Sequence, residues 1–327
     1  MTRGSLSLIA TVIAVVTLAG CDSPDDRAPG PPTVSDPILE ELLHDKGLRQ
    51  VRMASGHALT YVLPETGMQI LCQSLVKDRW EQLLGGRAGR RPSGGCLLKD
   101  EHGMMLLELR SSDDAFTGTT TVAGRPMTVD QNDSDGTEVT VALTDDALQP
   151  ATHQYRAASS LLGVKSSGHG DPETELSIVR RVLEELVPVL AKETEPLPAI
   201  DEQGHLAYVS TPLTSSAEFI DLPTPVQAMQ LCTVLIEDLQ VVPTEVMVSA
   251  GGACRIDIAG GTVTVRMDAA SAEPATYQDR VAGRPAMIGD RAAFVTVRLR
   301  DDVYVDLELS APDSVGLAER LVQLLVG

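Results

Sequence analysis

Two stretches of this chain repeat each other, and a sequence built in that way folds as two like units. Leu71-Cys72-Gln73-Ser74-Leu75 aligns with Leu231-Cys232-Thr233-Val234-Leu235, and an aspartate follows three residues later in each, Asp78 and Asp238. A second cysteine comes 24 positions after the first in one copy (Cys96) and 22 after it in the other (Cys254). Val122-Ala123-Gly124-Arg125-Pro126 is matched by Val281-Ala282-Gly283-Arg284-Pro285. Val139-Thr140-Val141-Ala142-Leu143-Thr144-Asp145-Asp146 is matched by Val295-Thr296-Val297-Arg298-Leu299-Arg300-Asp301-Asp302. Landmarks in one order at near-equal spacing mark a tandem duplication, which takes precedence over local signals.

The second copy carries the clearer periodicity. Val226, Met229, Leu231, Leu235, Ile236 and Leu239 recur near the helical period, with Thr224 expected as N-cap. From Cys254 the period becomes two: Ile256 and Ile258, then Gly260-Gly261, then Val263, Val265 and Met267, a hairpin pattern. Another hairpin is expected from Val295, Val297 and Leu299 through Asp301-Asp302 to Val303, Val305, Leu307 and Leu309. A closing helix is expected after Asp313, burying Ala318, Leu321, Val322 and Leu325, with residues 176–190 as its counterpart in the first copy. The expected class is α+β: two tandem repeats, each an antiparallel sheet of four or five strands flanked by an N-terminal and a C-terminal helix. Leu148 to Asp171, rich in Ser, Gly, His and Gln, reads as a long loop plus a weak strand.

The N-terminus is organised differently. Arg3 precedes an apolar run from Leu6 to Leu18, and Leu18-Ala19-Gly20-Cys21 is followed at once by Asp22-Ser23-Pro24-Asp25-Asp26. A basic start, a short apolar stretch and small residues at its exit describe a secretory signal. The run is shorter than the roughly 20 apolar residues a spanning helix requires. Cys21 after Leu-Ala-Gly resembles the lipobox of bacterial lipoproteins, which implies a diacylglyceryl group on its thiol and attachment to the extracytoplasmic face of the cell membrane. The organisation that follows is a signal peptide at 1–20, a lipidated Cys21 with a Pro- and Asp-rich tether at 21–38, the first repeat at 39–192, and a linker with the second repeat at 193–327. With Cys21 committed to lipid, Cys72, Cys96, Cys232 and Cys254 remain in an oxidising compartment and read as two disulfides. If each repeat folds alone, its bridge is internal, so the pairs are Cys72–Cys96 and Cys232–Cys254; a zinc site would use much tighter Cys pairs.

A formal net charge of −20 argues against nucleic acid and anionic head groups as partners. The residue patterns of familiar catalysts are missing: there is no G-x-S-x-G elbow, P-loop, G-x-G-x-x-G or H-E-x-x-H, and no cysteine is left over as a nucleophile. No catalytic residue, metal ligand or cofactor is therefore assigned, and a non-enzymatic binding protein is expected. Asp133, Asp135 and Gly136 fit part of a calcium loop, but its first position is Gln131 and its last Ala142, so a solvated turn is the expectation. Asp145-Asp146 and Asp301-Asp302 read as turns. Arg125 and Arg284 are the ligand-binding candidates, as anion-binding arginines at a strand entry, set against a simple salt bridge. A hydrolase using His153 or His169, and a carrier with an apolar cavity for lipid or another small molecule, are the alternatives.

The lipobox, the helical Leu-Cys, the later cysteine, and Gly124-Arg125-Pro126-Met127 with Gly283-Arg284-Pro285-Ala286 together resemble small actinobacterial surface lipoproteins built of domains of unknown function. The resemblance implies a lipid-anchored envelope protein and lends no substrate; the duplication, the disulfides and the missing catalytic patterns make a protein partner or a small envelope ligand the expectation. The resemblance assigns no catalytic residue.

Overall fold

A computed structural model of the chain describes residues 37–111, 114–132, 136–148, 160–193, 196–214, 216–240, 245–259, 261–269, 277–290, 294–300, 303–309 and 313–326. The signal sequence, Cys21, most of the tether, His153, Asp133, Asp135 and the Asp301-Asp302 pair lie outside them. No helix among the described residues is long and apolar enough to cross a membrane.

The first half opens with α1 (Pro37–Leu42), α2 (His57–Thr60), α3 (Pro64–Gln73) and α4 (Lys77–Leu84). Strands β1 (Gly89–Pro92), β2 (Cys96–Lys99), β3 (Met104–Arg110), β4 (Thr120–Val122), β5 (Arg125–Asn132), β6 (Gly136–Ala142) and β7 (Leu161–Ser167) follow, then α5 (Pro172–Leu190). They form a seven-stranded antiparallel sheet ordered β1-β2-β3-β7-β6-β5-β4. The second half contains β8 (His205–Leu206), α6 (Ser216–Phe219), α7 (Thr224–Leu239), β9 (Glu245–Ser249), β10 (Ala253–Ile258) and β11 (Gly261–Ala269). It continues with β12 (Asp279–Val281), β13 (Arg284–Ile288), β14 (Phe294–Arg300), β15 (Val303–Leu309) and α8 (Ser314–Val326). Its eight-stranded sheet runs β12-β13-β14-β15-β11-β10-β9-β8.

The architecture is α+β, and the helices cover the sheets in both halves, α3 and α5 on the first and α7 and α8 on the second. On α5, Ile178, Val179, Val182, Leu183, Leu186, Val187 and Leu190 recur at helical spacing and are buried against the sheet. Asp171 caps that helix, accepting from the backbone N–H groups of Glu173 and Thr174. On α8 the buried face is Leu317, Ala318, Leu321, Val322 and Leu325, and Asp313 Oδ1 accepts from the Gly316 N–H. The N-cap of α7 is Pro223, not Thr224; the Thr224 hydroxyl donates instead to the Ala250 carbonyl and ties the helix to the β9–β10 turn. Cys72 in α3 bonds to Cys96 in β2, and Cys232 in α7 to Cys254 in β10, so each bridge fastens a helix to a strand beneath it. Closing loops of this length contributes about 3 kcal/mol apiece in the chain-entropy treatment.

Each sheet is wider than the four or five strands expected. The additional strands are short edge pieces, such as β4 and β12 at three residues each, too brief to show a period of two. The weak strand expected within 148–171 is also stronger than its composition suggests. β7 lies at the middle of the first sheet between β3 and β6, with Leu161, Leu162 and Val164 buried. A Cβ on Gly163 would fall 2.4 Å from Arg110 Nε, because the Arg110 side chain crosses the strand at that point. Arg110 pairs there with Glu108 and Glu138, and Glu138 with Lys165, which makes a charged ladder across three strands.

The Val-Ala-Gly-Arg hairpins turn in the same way in both halves. Val122 pairs with Arg125 and Val281 with Arg284. The central residues all have positive φ: Ala123 47°, Gly124 78°, Ala282 48° and Gly283 78°. This is the two-residue turn that suits strand twist, and it holds an alanine where its Cβ crowds the following carbonyl. Replacing Ala123 or Ala282 with asparagine, which tolerates this region, is expected to stabilise the protein by about 1 kcal/mol per site. A higher urea midpoint at unchanged denaturant slope is the expected readout; a lower midpoint would contradict it.

Candidate functional site

Residues 37–327 make one compact unit, and a cleft of about 630 Å³ is lined from both of its halves. Gly47, Arg49 and Gln69 contribute from the first half, and Arg284, Pro285, Arg298 and Arg300 from the second. Arg284 and Pro285 open β13, just after the positive-φ turn, while Arg298 and Arg300 alternate with the buried Val297 and Leu299 along β14. Strand alternation therefore directs both β14 arginines away from the core.

Arg49 lies in the segment between α1 and α2, which hydrogen bonds hold against α3. Its backbone N–H donates to Gln69 Oε1 at 3.0 Å, Gln69 Nε2 donates to the Gly47 carbonyl at 2.9 Å, and Gln73 Nε2 to the Arg49 carbonyl at 2.7 Å. The Arg49 guanidinium then forks onto Asp221, with Nη1 to Oδ2 at 2.7 Å and Nη2 to Oδ1 at 2.8 Å. Thr66 on α3 donates to the same carboxylate at 2.8 Å, and Arg300 Nη2 reaches it at 3.4 Å. Arg298 Nε donates to the Arg300 carbonyl at 3.1 Å. Asp221 precedes α7 and is 3% exposed, so one buried carboxylate ties two first-half side chains to a second-half strand. Close by, Tyr61 gives its carbonyl to the Thr224 N–H, and Leu63 packs into the second-half core.

Burial pushes the Asp221 carboxyl upward. The hydrogen bonds from Arg49 and Thr66 and the charges of Arg49 and Arg300 more than offset this, and it titrates below the usual aspartate range. Its stabilising contribution is complete above the unfolded-chain value of about 3.9 and is lost as pH falls through the lower folded value. Wild type and Asp221→Asn are therefore expected to differ in denaturation midpoint by a constant amount above about pH 4 and by less as pH falls further. Curves that stay parallel through that range would contradict the assignment.

The two arginine candidates do not share a site. Arg125 is paired with Asp145, which opens a short 3₁₀ turn at Asp145–Leu148. Arg284 reaches the cleft, and its side chain has no hydrogen-bond or ion-pair partner among the described residues. Arg49, Gln69, Arg298, Arg300 and Asp221 escaped the sequence reading, although part of the signal was present. Of the two matching sequence stretches, one has Ala142 and Thr144 where the other has Arg298 and Arg300. Ala142 is buried with Ala147 and Leu161 against Phe116, so apolar packing fills the first half at the position where the second half opens to the cleft.

His169 belongs to a separate buried row. Its Nε2 lies 2.9 Å from Asp100 Oδ2 and its Nδ1 3.1 Å from Ser166 Oγ. Asp100 Oδ1 also accepts from the backbone N–H groups of His102 and Gly103, both at 2.7 Å. Burial raises the Asp100 carboxyl, but the bonds from His169, Gly103 and His102 outweigh it and hold the group below its ordinary range. The ionised carboxylate thus accepts from Nε2–H. The order Ser–His–Asp is that of a hydrolase triad, yet the His169 and Asp100 side chains are 2% and 0% exposed and Ser166 is buried. A nucleophile has to meet substrate; this row instead clasps the β2–β3 turn to the loop before α5.

Among the described residues, no group of three or more His, Cys, Asp or Glu side chains converges as a metal site. Compared with known protein families, with curated proteins and with solved structures, the chain has no match.

Proposed function

We propose that this protein is a lipid-anchored envelope lipoprotein, non-enzymatic, whose two tandem α+β modules hold a small ligand in a cleft that neither completes alone. The carrying observation is the cleft itself, lined by Gly47, Arg49 and Gln69 on one side and by Arg284, Pro285, Arg298 and Arg300 on the other. Support for two modules, at 39–192 and 193–327, comes from topology. The order β1-β2-β3-β7-β6-β5-β4 corresponds strand by strand to β9-β10-β11-β15-β14-β13-β12, with β8 an added edge. The bridges fasten equivalent helices to equivalent strands, and the Ala-Gly turns fall at equivalent hairpins. The polar lining suits a charged or hydrogen-bonding ligand better than an acyl chain.

Anchorage rests on Cys21 and its flanking sequence, and Cys21→Ala is expected to move the protein from the membrane to the soluble fraction. The shared cleft is tested with a protease site placed within residues 193–200. Ligand that co-purifies with the intact chain should be lost once the cleaved modules are separated. Modules that each retained it would overturn the reading.

A further inference from the structure

We infer that the face of the first sheet turned away from α3 and α5 is a docking surface for the anionic lipid of the membrane that Cys21 ties the chain to. Arg91, Lys99 and Lys165, set around Leu97, Met104 and Leu106, make the contact. This rests on the anchorage reading and adds which side of the protein meets the lipid.

Strand register places these six residues together. Residues directly opposite one another share a face of a sheet. Arg91 pairs with Leu97, Leu97 with Leu106 and Leu106 with Lys165, one row across β1, β2, β3 and β7. Lys99 pairs with Met104 in the row beside it. The alternating Cys96, Leu98, Met105, Leu107 and Val164 are buried in the core, so the six point the other way. Met104 is 45% exposed, and the neighbouring Leu97 and Leu106 are partly exposed, which makes a contiguous apolar patch. The Arg91 and Lys99 side chains have no hydrogen-bond or ion-pair partner among the described residues, and Lys165 reaches Glu138 only at 3.6 Å. Glu108 and Glu138, on the same face, are both engaged by Arg110. Asp130 lies at the far end of the row, opposite Glu138, and Glu101 sits in the β2–β3 turn, where its charge acts on Arg87.

The tether ends on this face. A Cβ on Gly89, which pairs with Lys99, would fall 2.5 Å from the Leu42 carbonyl oxygen and 2.9 Å from Leu43 Cα. The end of α1 therefore lies over the corner of the patch. It is fastened there by Glu40 to Arg87, by Asp45 to Arg90 and by the Lys46 N–H to the Arg90 carbonyl. Residues 22–36, which separate Cys21 from Pro37, span at most about 50 Å. Such a tether keeps lipid at high effective concentration around its root. With a net charge of −20 the chain as a whole is repelled by an anionic surface, so approach is favoured where unpaired cations gather. Each cation brought to such a surface strengthens the contact roughly fivefold.

The test uses the full lipidated chain carrying Met104→Trp, reconstituted on vesicles of phosphatidylglycerol with brominated acyl chains, which quench tryptophan on contact. Trp80, the natural tryptophan, is 0% exposed, and wild type supplies its background. The added tryptophan is expected to be quenched, less so as salt rises, and not on vesicles of brominated phosphatidylcholine alone. Arg91→Glu combined with Lys99→Glu should remove most of the quenching at unchanged melting temperature. Val209→Trp, at a residue 63% exposed beside α7, should stay unquenched. The mass of the purified protein reports separately whether Cys21 carries lipid. Lipid on Cys21 with Met104→Trp unquenched overturns the inference and leaves the anchorage reading standing. Quenching indifferent to salt and to charge reversal, or equal at both added tryptophans, overturns it as well. A protein crosslinked through Lys99 in intact cells, with the tryptophan unquenched, would give the face to that partner instead. No lipid on Cys21 removes the anchorage reading and the inference with it.

Discussion

Asp221→Ala is expected to destabilise the protein by about 3 kcal/mol, the lower end of the range for breaking a buried ion pair. The lower end applies because Asp221 is 3% exposed whereas the Arg49 and Arg300 side chains are 26% and 25% exposed. The substitution removes the acceptor of two Arg49 bonds, one Thr66 bond and one Arg300 contact. Because these bonds join the two halves, hydrogen exchange should quicken first around Thr66 and the start of α7, ahead of the two cores. A loss below 1 kcal/mol, with exchange unaltered there, would mean that Leu63 and the Tyr61–Thr224 bond hold the halves together without the carboxylate.

Asp100→Ala is expected to cost more, about 4 kcal/mol, because both partners of that pair are sealed. The substitution leaves the buried Gly103 N–H and the sealed His169 ring without their acceptor, and the part-buried His102 N–H as well. Ser166→Ala removes a single neutral hydrogen bond and should cost about 1 kcal/mol. Urea denaturation of the two variants separates a structural clasp from a catalytic one. Full stability in Asp100→Ala would contradict the clasp, and an envelope hydrolase activity abolished in Ser166→Ala would reinstate the row as chemistry.

Much of the fold was legible because landmarks of the first half of the sequence recur in the second. The matching stretches pointed to which cysteines belong together, and both bonds join the expected pairs. Period-two runs located β10, β11, β14 and β15, and helical spacing located α5, α7 and α8. The strand at 161–167 was underrated for a tertiary reason. Gly163 makes room for Arg110, and Ser166 is buried beside His169, so residues that look like loop serve cross-strand needs. The N-cap of α7 was displaced by one residue because Thr224 found a better partner in the Ala250 carbonyl.

The candidate site was half legible. Arg284 was singled out by its strand-entry position, but the same reasoning singled out Arg125, and only packing separates them. Arg49 and Asp221 stand 172 residues apart, and no local pattern foretells that they meet. The contrast of Ala142 and Thr144 with Arg298 and Arg300 is visible in the aligned stretches. The matching stretches are informative where they agree, for the fold, and where they part, for the site.

The most direct measurement is a native mass spectrum of the protein taken from its own host without denaturation, as wild type, Arg284→Ala and Arg125→Ala. The account predicts a reproducible bound mass in wild type and Arg125→Ala that is absent from Arg284→Ala. A ligand-free spectrum for all three, or a bound mass indifferent to Arg284, would contradict a ligand site shared between the two halves.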